Sequence, residues 1–286
     1  MTIPTQTLHT INGLQIAAYE WAGIEPTHVL AHATGFHARL WDQVVAHLDG
    51  RRVIALDLRG HGHSSKPTPP KPYAWHAFAD DLVALDDALD LRGAVGVGHS
   101  CGGHAVALAA ALKPDLFSRI ILIDPVIFPK AGYTTQISEG EHYTARRRNE
   151  WASSDEMFER FKDRSPFDLW DRAVLHDYVD YGLLPNPDGD GFVLACPPAI
   201  EAAIYRQSGG SNIYPQLETV MIPALIMRLG VRSSFSPDDM AGSPTNPDLW
   251  RHFQHGHDMQ LTDYTHFAPM QNPAHIAQLI LDFANG

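Results

Sequence analysis

Residues 95–106 read VGVGHSCGGHAV. A small apolar strand runs into Gly98-His99-Ser100-Cys101-Gly102, and an Ala-rich stretch follows it to Lys113. A serine between two glycines, where a strand stops and a helix starts, has two readings. It is a tight turn that needs small residues, or an elbow that holds a nucleophilic hydroxyl clear of the sheet. The pattern by itself is weak, so the flanking sequence has to choose.

Working outward, the chain alternates. TLHTINGLQIAAYEWA (7–22) reads as two strands around Asn12-Gly13, a hairpin dipeptide. Short apolar strands are expected at 27–33, 51–60, 94–99 and 119–124, with helices at 38–50, 73–90 and 101–113 between them. The strands are apolar on both faces, which predicts a mostly parallel central sheet flanked by helices. From Val126 to about Pro215 the alternation stops. Charged and aromatic segments with helical period take over, with GFVLAC (191–196) the one candidate for a short strand. Alternation resumes with strands at 222–230 and 258–263 and a terminal helix at 272–284, which has Pro273 in its first turn. The expected organisation is a core in two parts, 1–125 and 216–286, with a helical cap at 126–215 inserted after the strand ending at Asp124.

Three further stretches favour the nucleophile. HATGF (32–36) follows the first parallel strand. An acyl-transfer site needs donors aimed at a developing oxyanion, and the backbone N–H groups of Thr34 and Cys101 would serve. DLRGHGHS (57–64) follows the next strand and reads as scaffolding for that loop. DYTHFAPMQNP (263–273) puts His266 in the loop before the terminal helix, where it would be the general base for Ser100.

HATGF, DLRGHGHS, GHSCGG, IILIDP and THFAPM, in this order and spacing, resemble the α/β-hydrolase fold family, in particular its capped serine hydrolases of esterase and lactonase type. The resemblance implies a Ser-His-Asp triad and an acyl-enzyme on Ser100. It leaves the acid open. Many members carry it a few residues past the strand matching PALIMRLG, but here that loop reads Gly230-Val231-Arg232-Ser233-Ser234-Phe235. Asp124, at the end of the strand before the cap, is the alternative site some members use and is the favoured acid. Asp238 and Asp239 are the other candidates. Haloalkane dehalogenases and epoxide hydrolases of this fold use an Asp at the elbow, where this chain has Ser. Cleavage of a carboxylic ester or lactone is the expected activity. A macrolactone (zearalenone-type) lactonase, a C–C bond hydrolase, or a triad-bearing small-molecule receptor with slow turnover are the alternatives.

Trp151, Phe128 and Tyr205 are candidate pocket residues. ARRRNE (145–150) reads as a basic run salt-bridged on a helix face. The chain has 286 residues, 44% hydrophobic and 19% charged, enough for a full core, and a net charge of -12 that disfavours nucleic acid and anionic membranes. Its histidines are too scattered for a metal site, and no cofactor is expected. Cys101 and Cys196 read as free thiols. The N-terminus shows no leader pattern, and no apolar run is long enough to span a bilayer. These features point to a cytoplasmic monomer or homodimer acting on a small-molecule ester or lactone.

Overall fold

The computed structural model describes residues 3–69, 71–133, 142–208, 211–230 and 242–286. The hairpin forms as read: β1 (Thr5–Ile11) and β2 (Leu14–Trp21) pair antiparallel, and Asn12 and Gly13 turn through φ 49° and 76°. There follow β3 (Ile24–Ala31), the single turn α1 (Asp42–Val45), β4 (Arg51–Leu56), α2 (His76–Leu89), β5 (Ala94–His99), α3 (Cys101–Leu112) and β6 (Phe117–Ile123). The helix expected over 38–50 is thus reduced to a 3-10 turn at Ala38–Trp41 and one α turn, and left-handed Asp49 and Gly50 close the segment.

Between β6 and the next strand of the main sheet lie β7 (Glu150–Trp151), α4 (Ser154–Phe161), α5 (Arg172–Tyr181), β8 (Leu183–Pro185), β9 (Phe192–Leu194), α6 (Pro198–Gln207) and α7 (Tyr214–Leu217). This stretch is not purely helical. β7, β9 and β8 form a three-stranded antiparallel sheet of their own. The main sheet resumes with β10 (Pro223–Leu229) and β11 (His255–Leu261), and α8 (Ala268–Gln271) and α9 (Pro273–Asn285) complete the chain.

The main sheet has eight strands in the order β1-β2-β4-β3-β5-β6-β10-β11. Only the β1–β2 and β2–β4 pairings are antiparallel; the rest are parallel. Alternate residues of its inner strands feed two buried layers, which is why those strands are apolar throughout. In β6, Ile120 and Leu122 join the layer of α2 and α3, while Ile121 and Ile123 join the layer of α1 and α9. Pairing places Ala31 opposite Gly98, His99 opposite Ile123 and Ile123 opposite Met227. The loops that leave β3, β5 and β6 therefore emerge side by side at the carboxyl edge, where open parallel sheets bind ligands. Among the described residues, no helix is long and apolar enough to cross a membrane.

Candidate active site

Ser100 sits between β5 and α3 at φ 57°, ψ -117°, a backbone conformation a side-chain-bearing residue adopts only when its surroundings impose it. The surroundings do so through close backbone contact. A β-carbon on Gly98 would lie 2.4 Å from the Gly102 carbonyl oxygen, and one on Gly102 would lie 2.2 Å from that of Ala31. The two glycines let helix and strands meet so tightly that the turn between them has one shape. Gly102→Ala is accordingly expected to cost about 3 kcal/mol or more of stability, since the obstructing oxygen belongs to a central strand. Urea unfolding measures this, and an unchanged midpoint would contradict it.

Asp124 follows β6, also in the left-handed region at φ 45°. Its amide donates to the Met227 carbonyl at 2.7 Å, which ties it to the end of β10. The carboxylate is fully buried. Oδ1 accepts from the Leu229 amide at 3.1 Å, from the Ser243 hydroxyl and from the Thr245 hydroxyl at 3.3 Å. Oδ2 is left for His266, whose Nδ1 lies 2.6 Å away. His266 is held from behind as well. His99, beside Ser100, donates from Nε2 to the His266 carbonyl at 2.7 Å. Asp238 and Asp239 fall in 231–241, outside the described residues.

The HATGF loop is locked to the DLRGHGHS loop by two histidines. His32 donates from Nδ1 to the Ala33 carbonyl and accepts at Nε2 from the Leu58 amide at 3.0 Å. His61 donates to the Arg59 carbonyl and accepts from the Gly35 amide, also at 3.0 Å. Both rings must be neutral to accept. Burial pushes the His32 imidazole down to about 3 and His61 well below its ordinary value. The lock engages the Gly35 amide with His61, and the Phe36 amide donates to the Ala33 carbonyl. Cys101, the first residue of α3, is buried, and burial raises its thiol to about 12.

Ser100, His266 and Thr34 line one cavity of about 300 Å³. Its remaining wall comes largely from the segment between β6 and β10. Phe161, Phe167 and Trp170, with Phe36 and Phe267, add aromatic surface, and Tyr143, Thr144, Arg147, Tyr178, Glu201 and Tyr205 add polar groups. Of the three candidate pocket residues, Tyr205 lines the cavity and two do not. Trp151 is buried within the inserted segment, against Phe161 and under the Arg148 guanidinium. Phe128 turns away toward Tyr133, and its carbonyl accepts from the Tyr214 hydroxyl at 2.7 Å.

The basic run also departs from expectation, because it lies on no long helix. Arg148 pairs with Glu156 at 2.6 Å, but Arg147 turns inward. Its Nη1 donates to Glu201, and its Nη2 donates to the Tyr178 hydroxyl at 3.0 Å. A lone acid in the apolar run PAIEAAI (198–204) was the available signal that Glu201 needs a buried cation.

A family model described as alpha/beta hydrolase fold matches residues 27–168. A solved E-2-(acetamidomethylene)succinate hydrolase superposes with a TM-score of 0.78 over 99% of this chain and 100% of that one, at 22% identity, a likeness of fold. The chain has the α/β-hydrolase fold. The chain is 38% identical over 124 residues to a non-heme chloroperoxidase of Streptomyces lividans, covering 42% of this chain and 44% of that one. It is 25% identical over 206 residues to 3-oxoadipate enol-lactonase 2 of Acinetobacter baylyi, covering 71% and 70%. The chain matches under half the length of the first curated relatives.

Proposed function

We propose that the hydrolase cleaves a carboxylic ester or lactone through an acyl-enzyme on Ser100. The observation that carries this reading is the 2.6 Å contact between His266 Nδ1 and Asp124 Oδ2, with His266 and Ser100 on the wall of one cavity. A proton held on Nδ1 by the carboxylate leaves Nε2 as the base. In the first step Ser100 Oγ attacks the carbonyl carbon while Nε2 takes its proton. The amides of Cys101 and Thr34 hold the oxyanion; the amides of Gly35 and Phe36 are already engaged, which favours Thr34 as the donor from that loop. Collapse breaks the bond to the alkoxy oxygen, and the imidazolium protonates that oxygen as it leaves. Water, activated by the same imidazole, then releases the acid and restores Ser100. The enol-lactonase relative supports ester chemistry, a lactone being a cyclic ester. The segment 126–215 acts in this reading as a cap that sets substrate choice.

The test is covalent labelling. A fluorophosphonate is expected to add once to the wild-type protein and not to Ser100→Ala, read by intact mass. An unlabelled wild type that admits small aromatic ligands to its cavity would reject the acyl-enzyme.

A further inference from the structure

Among the described residues of the cavity wall, Arg147 and Glu201 are the two that carry full charge, and they neutralise each other. Their side chains are 27% and 5% exposed, so water screens the pair weakly. Glu201 lies close against the HATGF loop, where a β-carbon on Gly35 would come 2.9 Å from its Oε1. Beside the pair stand two neutral donors. The Tyr178 oxygen accepts from Arg147, which leaves its own proton to give, and burial raises both Tyr178 and Tyr205 above the ordinary phenol range, so both stay protonated. Phe161, Phe167 and Trp170, which pack against the Tyr178 ring, add aromatic surface to the same cavity.

We propose that this site, within the ester-hydrolase reading above, selects uncharged substrates with an aromatic or apolar body and a neutral hydrogen-bond acceptor at the Arg147 end, and rejects those that end in a carboxylate. A second carboxylate would share one guanidinium with Glu201 in a poorly solvated space, and one of the two negative charges would lack a partner. A carbonyl, ether or amide oxygen accepts from Tyr178 or Arg147 without adding charge. The net charge of -12 acts in the same direction by repelling anions before they enter.

The discriminating experiment compares two nearly isosteric ligands, 3-phenylpropionamide and 3-phenylpropionate, by calorimetric binding to the wild-type protein. The amide is expected to bind at least about tenfold more tightly. Glu201→Gln frees the charge of Arg147 and is expected to reverse the order. Because that variant leaves a buried arginine unpaired, the double variant Arg147→Gln/Glu201→Gln serves beside it and is expected to keep the preference for the amide. Equal or tighter binding of the carboxylate by the wild type would overturn the proposal, as would binding of neither ligand or an unchanged order in a folded Glu201→Gln. Binding is read without turnover. A preference for the amide with no fluorophosphonate adduct would reject the acyl-enzyme alone, and a labelled Ser100 with a preference for the carboxylate would reject the neutral-substrate rule alone.

Discussion

If the protein is the ester hydrolase proposed above, Asp124→Asn is expected to lower its kcat by about 10⁴, with little change in KM. The reason lies in how the carboxylate is held. Three donors converge on Oδ1: the Leu229 amide, the Ser243 hydroxyl and the Thr245 hydroxyl. An asparagine there puts its carbonyl oxygen toward those donors, since an NH₂ group cannot accept from an amide. The NH₂ then faces His266 Nδ1, which must accept instead of donate. The imidazole proton moves to Nε2, and the nitrogen that should take the proton of Ser100 already carries one. The fold is expected to survive, because size and Oδ1 contacts are kept. Steady-state kinetics and the rate of fluorophosphonate labelling should therefore fall together while the unfolding midpoint moves little. A loss below about tenfold would place the acid elsewhere, with Asp238 and Asp239 the remaining candidate carboxylates.

The main sheet was legible because its strands are buried on both faces. An unbroken apolar run such as IILI at 120–123, too short for a helix and following one, fits a strand covered on both sides. The elbow was legible for a related reason: only small residues fit where Gly98 and Gly102 bring backbones into contact, so the glycines mark the place. Asp124 was harder to read. An Asp-Pro pair at a strand end starts many turns, and its pairing with His266 joins residues far apart in the chain. The inserted segment was least legible. Strands of two or three residues, such as β7 and β8, are too short to establish a period, and the pairing of β9 with both flanking strands makes them a sheet. The direction of an aromatic ring is set by the packing of its own element. Tyr205 and Trp151 look alike in sequence, yet one faces the cavity and the other the interior of the segment. Arg147 shows the same limit, since nothing in three consecutive arginines says which will turn inward.

The histidines that hold the site loops together lead to the second large effect, loss of the native state in mild acid. His32, His37 and His104 are buried, and burial lowers them to about 3, 4 and 4 from an ordinary 6.5. His61 and His99 are pushed well below that value for the same reason, and a neighbouring histidine adds to each shift. Below pH 6.5 the unfolded chain binds protons at these positions that the native state refuses, so stability falls as pH falls through this window. By pH 5 each of the three costs about 2 kcal/mol, together about 6 kcal/mol, and His61 and His99 add to the loss. That is comparable to the whole stability of many domains. Asp177 opposes the trend: burial, with Asp42 adding, raises it to about 7, so the native state gains a proton there as pH drops. Asp42 and Glu201, also raised by burial, act the same way, but three carboxylates do not offset these five imidazoles and His28, which burial lowers too. Urea unfolding at pH 7.5 and pH 5 is expected to show the midpoint collapsing, with several protons taken up on unfolding at the lower pH. Activity should disappear with the fold, because charging His32 or His61 breaks the lock between the HATGF and DLRGHGHS loops. An unfolding midpoint that stays level down to pH 5 would mean that these rings take up protons in place and that the lock does not depend on their neutrality.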